Sequence, residues 1–190
     1  AFARESFGSW PIGIPSPSSP QYTAYTFFGN GCLEGRQSVS TGFNTQTVTF
    51  GDFRALQILG SPLSDSRKTC SVGITVTPEN GAQYRIVSVQ AQGQSFAQAA
   101  GATSEITVSY FAFGSSITGQ LNNKLKSDIN GPFDLTNATP QNLQASPWTP
   151  CNLGSKVFTV NTNLRVSTRT NVKPVFFLNN LILHWERRGC

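Results

Sequence analysis

From residue 21 onward, apolar and polar side chains alternate along the chain with a period of two. That is the mark of strands with one buried and one wet face. Residues 21–28 are rich in aromatics and Thr. Segments 38–43 and 47–53 flank Asn44-Thr45-Gln46 and predict a hairpin. Next, Cys70, Val72, Ile74 and Val76 share one face, with Ser71, Gly73 and Thr75 on the other. Pro78-Glu79-Asn80-Gly81 is a turn signal, because Asn and Gly tolerate positive φ. Residues 84–91 are expected to return from it as the partner strand. The stretch 105–113 is apolar on both faces and predicts a central strand. In 156–167, Phe158, Val160, Leu164 and Val166 point one way with Thr162 among them, and Thr159, Asn161, Asn163 and Arg165 point the other. In 176–187, Leu181, Leu183 and Trp185 oppose Asn180, Ile182, His184 and Glu186.

This pattern predicts nine or ten short strands and no helix. The nearest helical candidate, 121–129, reads as a loop because Asn122 and Asn123 favour turns. The predicted class is all-β, an antiparallel two-layer β-sandwich of the jelly-roll kind. Residues 92–103 are rich in Gln, Ala and Gly and read as a long connection, where binding residues often sit.

Residues 1–20 break the pattern, with four prolines in the ten positions from Pro11 to Pro20. Proline cannot donate to a sheet ladder, so an extended surface tail is expected over 1–20, anchored by Trp10. The expected domain is then 21–190. Charged residues make up only 12% of the chain, against about 25% in an average globular protein. The polar surface must therefore come from Ser, Thr, Asn and Gln, which fits an extracellular β protein. The chain lacks Met, so Ala1 is expected to follow a cleavage site. No apolar run is long enough for a transmembrane helix. The net charge is +5, but the basic residues are scattered, and Arg67-Lys68 and Arg187-Arg188 are the only adjacent pairs. Nucleic-acid binders show a clustered stripe instead, so no nucleic-acid partner is expected.

Cys32, Cys70, Cys151 and Cys190 are far apart, which leaves no CxxC metal or redox motif. Four cysteines in a secreted chain read as two disulfides with three possible connectivities. Cys32–Cys70 with Cys151–Cys190 is the preferred one, because each bond closes a sequence-local loop around one run of strands.

Two stretches together resemble a known family. The first runs from Gly29-Asn30-Gly31-Cys32 through Val48-Thr49-Phe50-Gly51-Asp52-Phe53 to Arg67-Lys68-Thr69-Cys70-Ser71-Val72 and Pro78-Glu79-Asn80-Gly81. The second is Ser146-Pro147-Trp148-Thr149-Pro150-Cys151, then Val160-Asn161-Thr162-Asn163-Leu164-Arg165-Val166, closed by Trp185 and Cys190. Over about residues 28–190 the chain resembles the domain of unknown function 4360 family of fungi and bacteria. It departs where Glu186, Arg187, Arg188 and Gly189 separate Trp185 from Cys190. The resemblance implies secretion and two disulfides, and no activity.

The chemistry-bearing residues are few. His184 is the only histidine, which removes the usual zinc sets. It shares a face with Glu186, as a Ser-His-Glu site would need, but no GxSxG elbow accompanies it. Paired carboxylates could hydrolyse glycosides. Among nine acids Asp52 stands out, set between Phe50 and Phe53 beside Gly51; the plainer reading is a hairpin-end Asp bonded to backbone amides. With Ala at position 1 no N-terminal His copper site is expected, and no calcium or phosphate loop motif occurs. No cofactor or metal is expected.

Sugar binding suits a sandwich with exposed aromatics flanked by amides, since rings stack on pyranose faces and amides bond hydroxyls. The candidates are Trp148, Trp10, Tyr110 and Tyr84; packing over the disulfide is the competing reading for Trp148. Asn137-Ala138-Thr139 is a glycosylation sequon, followed by Pro140. The sequence therefore predicts a secreted, non-enzymatic protein of a cell wall or matrix, with polysaccharide or another extracellular protein as partner. The alternatives are a secreted effector or toxin acting on a protein or membrane target, and a carboxylate-based hydrolase.

Overall fold

A computed structural model describes residues 21–58, 60–79, 81–96, 102–112, 119–125, 130–136, 145–151, 154–168 and 173–190. The expected tail, with Trp10, and the sequon Asn137 lie outside the described residues. Among them ten strands form in chain order: β1 Gln21–Phe28, β2 Gln37–Thr41, β3 Thr45–Leu56, β4 Arg67–Thr77, β5 Ala82–Phe96, β6 Thr103–Ala112, β7 Gly119–Leu125, β8 Asn130–Thr136, β9 Lys156–Ser167 and β10 Val175–Gly189. Among the described residues one helical turn, α1 Leu63–Ser66, precedes β4, which corrects the expectation of no helix.

The strands build two five-stranded sheets in the orders β1-β4-β9-β6-β7 and β2-β3-β10-β5-β8. Every pairing is antiparallel. Among the described strands only β2–β3 and β6–β7 are consecutive neighbours in one sheet; every other step along the chain changes sheet, as in a jelly roll. This is the two-layer all-β sandwich that the alternation predicts. Between the layers lie Phe53, Ile74, Ile86, Ile106, Phe158, Leu164, Phe176, Leu178, Leu181 and Leu183, all essentially without solvent contact. Each such side chain contributes on the order of 1.5–3 kcal/mol of burial. Trp185 closes the core edge-on against Phe158, with ring centres 4.9 Å apart.

Strand 156–167 and the inward set Leu181, Leu183 and Trp185 form as expected. Four further expectations need correction. β4 and β5 do not pair: they lie in different sheets, and the apolar face of each turns into the core. Gly81 does take the positive φ of 78° expected of it. The β2–β3 turn is set at Gly42, whose amide donates to the Thr45 carbonyl at 2.8 Å, earlier than Asn44–Gln46. Leu121 lies in a strand, β7, rather than a loop. Residues 92–96 are not a connection either, since β5 runs on to Phe96.

The two disulfides are Cys32–Cys70 and Cys151–Cys190, separated by 38 and 39 residues. They pin two segments that lack regular pairing to strand β4 and to the end of β10. The second of these, 145–149, runs along the first part of β5. Ser146 and Thr149 donate their amides to the Ile86 and Tyr84 carbonyls, both at 2.9 Å. Their hydroxyls accept from the Ile86 and Tyr84 amides at 2.9 and 3.0 Å. Side-chain oxygens thus do the work of strand carbonyls, which lets a segment holding Pro147 and Pro150 cover a sheet edge.

Candidate functional site

The outer face of the second sheet carries a continuous polar stripe between its two long central strands. Strand parity decides which residues reach it, and two bulges set that parity. In β10 the register shifts between Leu178 and Asn180 against both neighbours. Strict alternation is interrupted there: Phe176 and Leu178 point inward, Asn179 and Asn180 both face out, and Leu181 turns in again. In β5 the same happens at Val87-Ser88, between buried Ile86 and Val89. An extra residue in a strand moves everything after it to the other face. The facing pairs along the stripe are Phe177–Gln94, Asn180–Gln92, Ile182–Gln90, His184–Ser88, Glu186–Arg85 and Arg188–Gln83.

Its middle is one hydrogen-bonded array. Thr49 Oγ1 donates to Asn180 Oδ1 at 3.0 Å. Asn180 Nδ2 lies 3.5 Å from Gln92 Oε1. Gln92 Nε2 donates to Asp134 Oδ2 at 2.9 Å, and Gln90 Nε2 to Asp134 Oδ1 at 2.7 Å. His184 Nε2 sits 3.3 Å from Gln90 Oε1. Four strands, β3, β10, β5 and β8, contribute. Over it lies a shallow depression of about 430 Å³ lined by Gln92, Gly93, Gln94, Pro132, Phe133, Asp134, Asn179 and Asn180. Gly93 must be glycine, because a Cβ there would meet the Phe177 carbonyl and the Phe133 ring. Phe96 and Phe177 meet edge-on beyond Gln94, ring centres 6.3 Å apart.

Trp148 stands at the opposite end. It is half-buried, and the guanidiniums of Arg85 and Arg188 lie over its ring at 4.4 and 4.2 Å from the centre. Two cations therefore already occupy the ring that the sequence offered as a stacking platform. Arg85 is also held by Glu186 at 2.6 Å, and Arg188 Nε donates to Gln83 Oε1 at 2.8 Å.

Tyr84 and Tyr110 are not binding platforms: both are core residues, 1% and 0% exposed. Each side chain falls on the inward parity of its strand. The Tyr84 hydroxyl reaches the sandwich end, where it meets Glu79 at 3.2 Å and Arg187 at 3.3 Å. Burial raises its pKa, with Arg187 pulling the other way.

Asp52 is clamped between Arg36 and Arg54, each 3.2 Å away, rather than bonded to backbone amides. It lines a second depression of about 280 Å³ with Asn30, Leu33, Arg54, Leu56, Asp65 and Lys68. Asp65 brings a second acid, but Lys68 faces it at 3.5 Å. Each acid has its own cation, so this is a set of surface ion pairs and not two carboxylates sharing a proton. His184 and Glu186 likewise have separate partners, Gln90 and Arg85. Among the described residues no group of three His, Cys, Asp or Glu side chains could hold a metal ion.

The alternation Gln90-Ala91-Gln92-Gly93-Gln94 was the available sequence signal for the stripe. The doublet Asn179-Asn180 was the signal for the bulge that turns Asn180 outward.

The model of the domain of unknown function DUF4360 matches residues 19–179. The chain belongs to the DUF4360 family. No curated protein matches this DUF4360 chain. Several solved structures are distantly similar to it. TmCBM61 in complex with β-1,4-galactotriose shares 10% identity at a TM-score of 0.33, covering 90% of this chain and 91% of that one. A structure described as CBM4 shares 11% at 0.25, covering 87% and 86%. The CBM22-1 xylan-binding domain of Paenibacillus barcinonensis Xyn10C shares 9% at 0.24, covering 89% and 97%. At these TM-scores the likeness carries no functional weight.

Proposed function

We propose that this DUF4360 protein is a secreted, non-catalytic domain that binds an extended polysaccharide along the β5–β10 stripe. The observation that carries the reading is the array Thr49–Asn180–Gln92–Asp134–Gln90–His184. Sugar hydroxyls donate and accept at once, so a matching surface must offer both roles. Amides and hydroxyls do, and here neighbours fix their orientation. Preorganisation lowers the ordering cost of binding. The shallow, open depression suits a polymer lying across it better than a small enclosed substrate.

The test is retention of the purified protein on insoluble chitin, β-glucan, cellulose and calcium-gelled pectate, beside Asn180→Ala and Gln92→Ala variants. Retention on a polymer that both variants lose while staying folded supports the reading. Equal retention of the variants, or no retention of the parent on any polymer, overturns it.

A further inference from the structure

We infer that the polysaccharide is acidic and that Arg188 receives its carboxylate or sulfate groups, an inference that rests on the stripe reading above. Three arginines crowd the Trp148 end, and two are already neutralised. Arg85 holds Glu186 through Nε and Nη2, at 2.7 and 2.6 Å. Arg187 holds Glu79 through Nε and Nη2, at 2.9 and 2.5 Å. Arg188 differs. Its Nε donates to a neutral acceptor, Gln83 Oε1, and its guanidinium carbon lies over the Trp148 ring. Among the described residues no Asp or Glu carboxylate forms an ion pair with it.

An exposed arginine ordinarily samples many rotamers. This one is held by a ring and by an amide, and its backbone is tethered two residues on by the Cys190 disulfide. One edge of its donor fork is engaged, and the Nη groups remain to take an oxyanion. Glu186 is paired with Arg85, so it adds little repulsion at this end of the stripe. From Asn180 to Arg188 the strand spans about 27 Å at roughly 3.4 Å per residue, so a ligand that covers the whole array and the cation is an extended chain. The net charge of +5 adds a long-range attraction for such a polymer.

The test uses the full chain on immobilised polygalacturonate, on its methyl-esterified form and on dextran sulfate. Arg188→Gln is compared with Arg165→Gln, an equal loss of charge at an exposed site on the first sheet. The expected result is retention on polygalacturonate or dextran sulfate that Arg188→Gln weakens about tenfold and Arg165→Gln barely changes. Loss on esterification assigns the carboxylate, and preference for dextran sulfate assigns the sulfate. Equal weakening by the two variants would reveal mere polycation attraction and overturn the inference. So would retention on neutral polymers that Arg188→Gln leaves intact, which would spare the stripe reading. Failure of the parent to bind any polymer overturns both.

Discussion

The guanidinium of Arg188 lies 4.2 Å from the centre of the Trp148 ring. The two residues come from segments joined by the Cys151–Cys190 bond. Such a pair contributes about 0.5–2 kcal/mol, according to how far water is excluded. Trp148→Ala is therefore expected to leave the core intact and to free Arg188. Affinity for an acidic polysaccharide should fall about twofold to thirtyfold. Affinity electrophoresis with circular dichroism checks it; unchanged mobility shift in a folded variant would remove Trp148 from the site.

Tyr84 sets an alkaline limit. Burial raises its phenol above the ordinary value, with Arg187 opposing and the Glu79 charge adding to the rise. The folded state thus holds its proton more tightly than the unfolded chain does. Its contribution is fully present below the unfolded pKa of about 10 and is lost as pH rises through the folded value. Thermal unfolding against pH should show melting temperature falling above about pH 10, and less steeply in Tyr84→Phe. A slope identical in both proteins would dismiss this assignment.

Removing the second disulfide should be costly. It closes a loop across 39 residues, for which the chain-entropy model gives about 4 kcal/mol. A Cys151→Ser, Cys190→Ser double variant should melt well below the parent. It should also exchange the Tyr84 and Ile86 amides faster, because segment 145–149 loses its tether. Hydrogen exchange reads the second effect; unchanged protection there would show that the hydroxyl bonds suffice.

Gly93→Ala should destabilise by about 1–3 kcal/mol, the usual cost of overpacking. The new methyl would run into the Phe177 carbonyl and the Phe133 ring. Chemical denaturation measures this directly. Gly35→Ala is a poor control, because its φ of 78° strains any side chain, so Ser40→Ala on exposed β2 is the better one. Equal stability of Gly93→Ala and the parent would mean that the strand yields without cost.

The layers of the fold were legible because burial on one face writes itself into the sequence. Phe158 to Val166 and Leu181 to Trp185 needed nothing more than period two. Pairing was less legible. Strands β4 and β5 both alternate and are joined by a proper turn, and nothing local distinguishes a hairpin from a passage between sheets. The stripe was hidden for a different reason. Gln90 to Gln94 alternates amides with Ala91 and Gly93, and the smallness of Gly93 is dictated by Phe133 on a neighbouring strand. Read alone, such a segment looks like a linker. Tyr84 and Tyr110 misled because an aromatic ring with a hydroxyl suits a core as well as a surface.

Strand β10 comes last in the chain yet lies between β3 and β5. Those two strands do not pair with each other, so the second sheet is two separate halves until residues 175–189 are added. The array that spans β3, β10, β5 and β8 cannot exist on a nascent chain lacking them. Assembly must wait for the slowest kind of event, the closing of contacts between distant parts of the chain. Until then the apolar faces of both halves stand open, and that interval is when the protein is most exposed to aggregation and proteolysis.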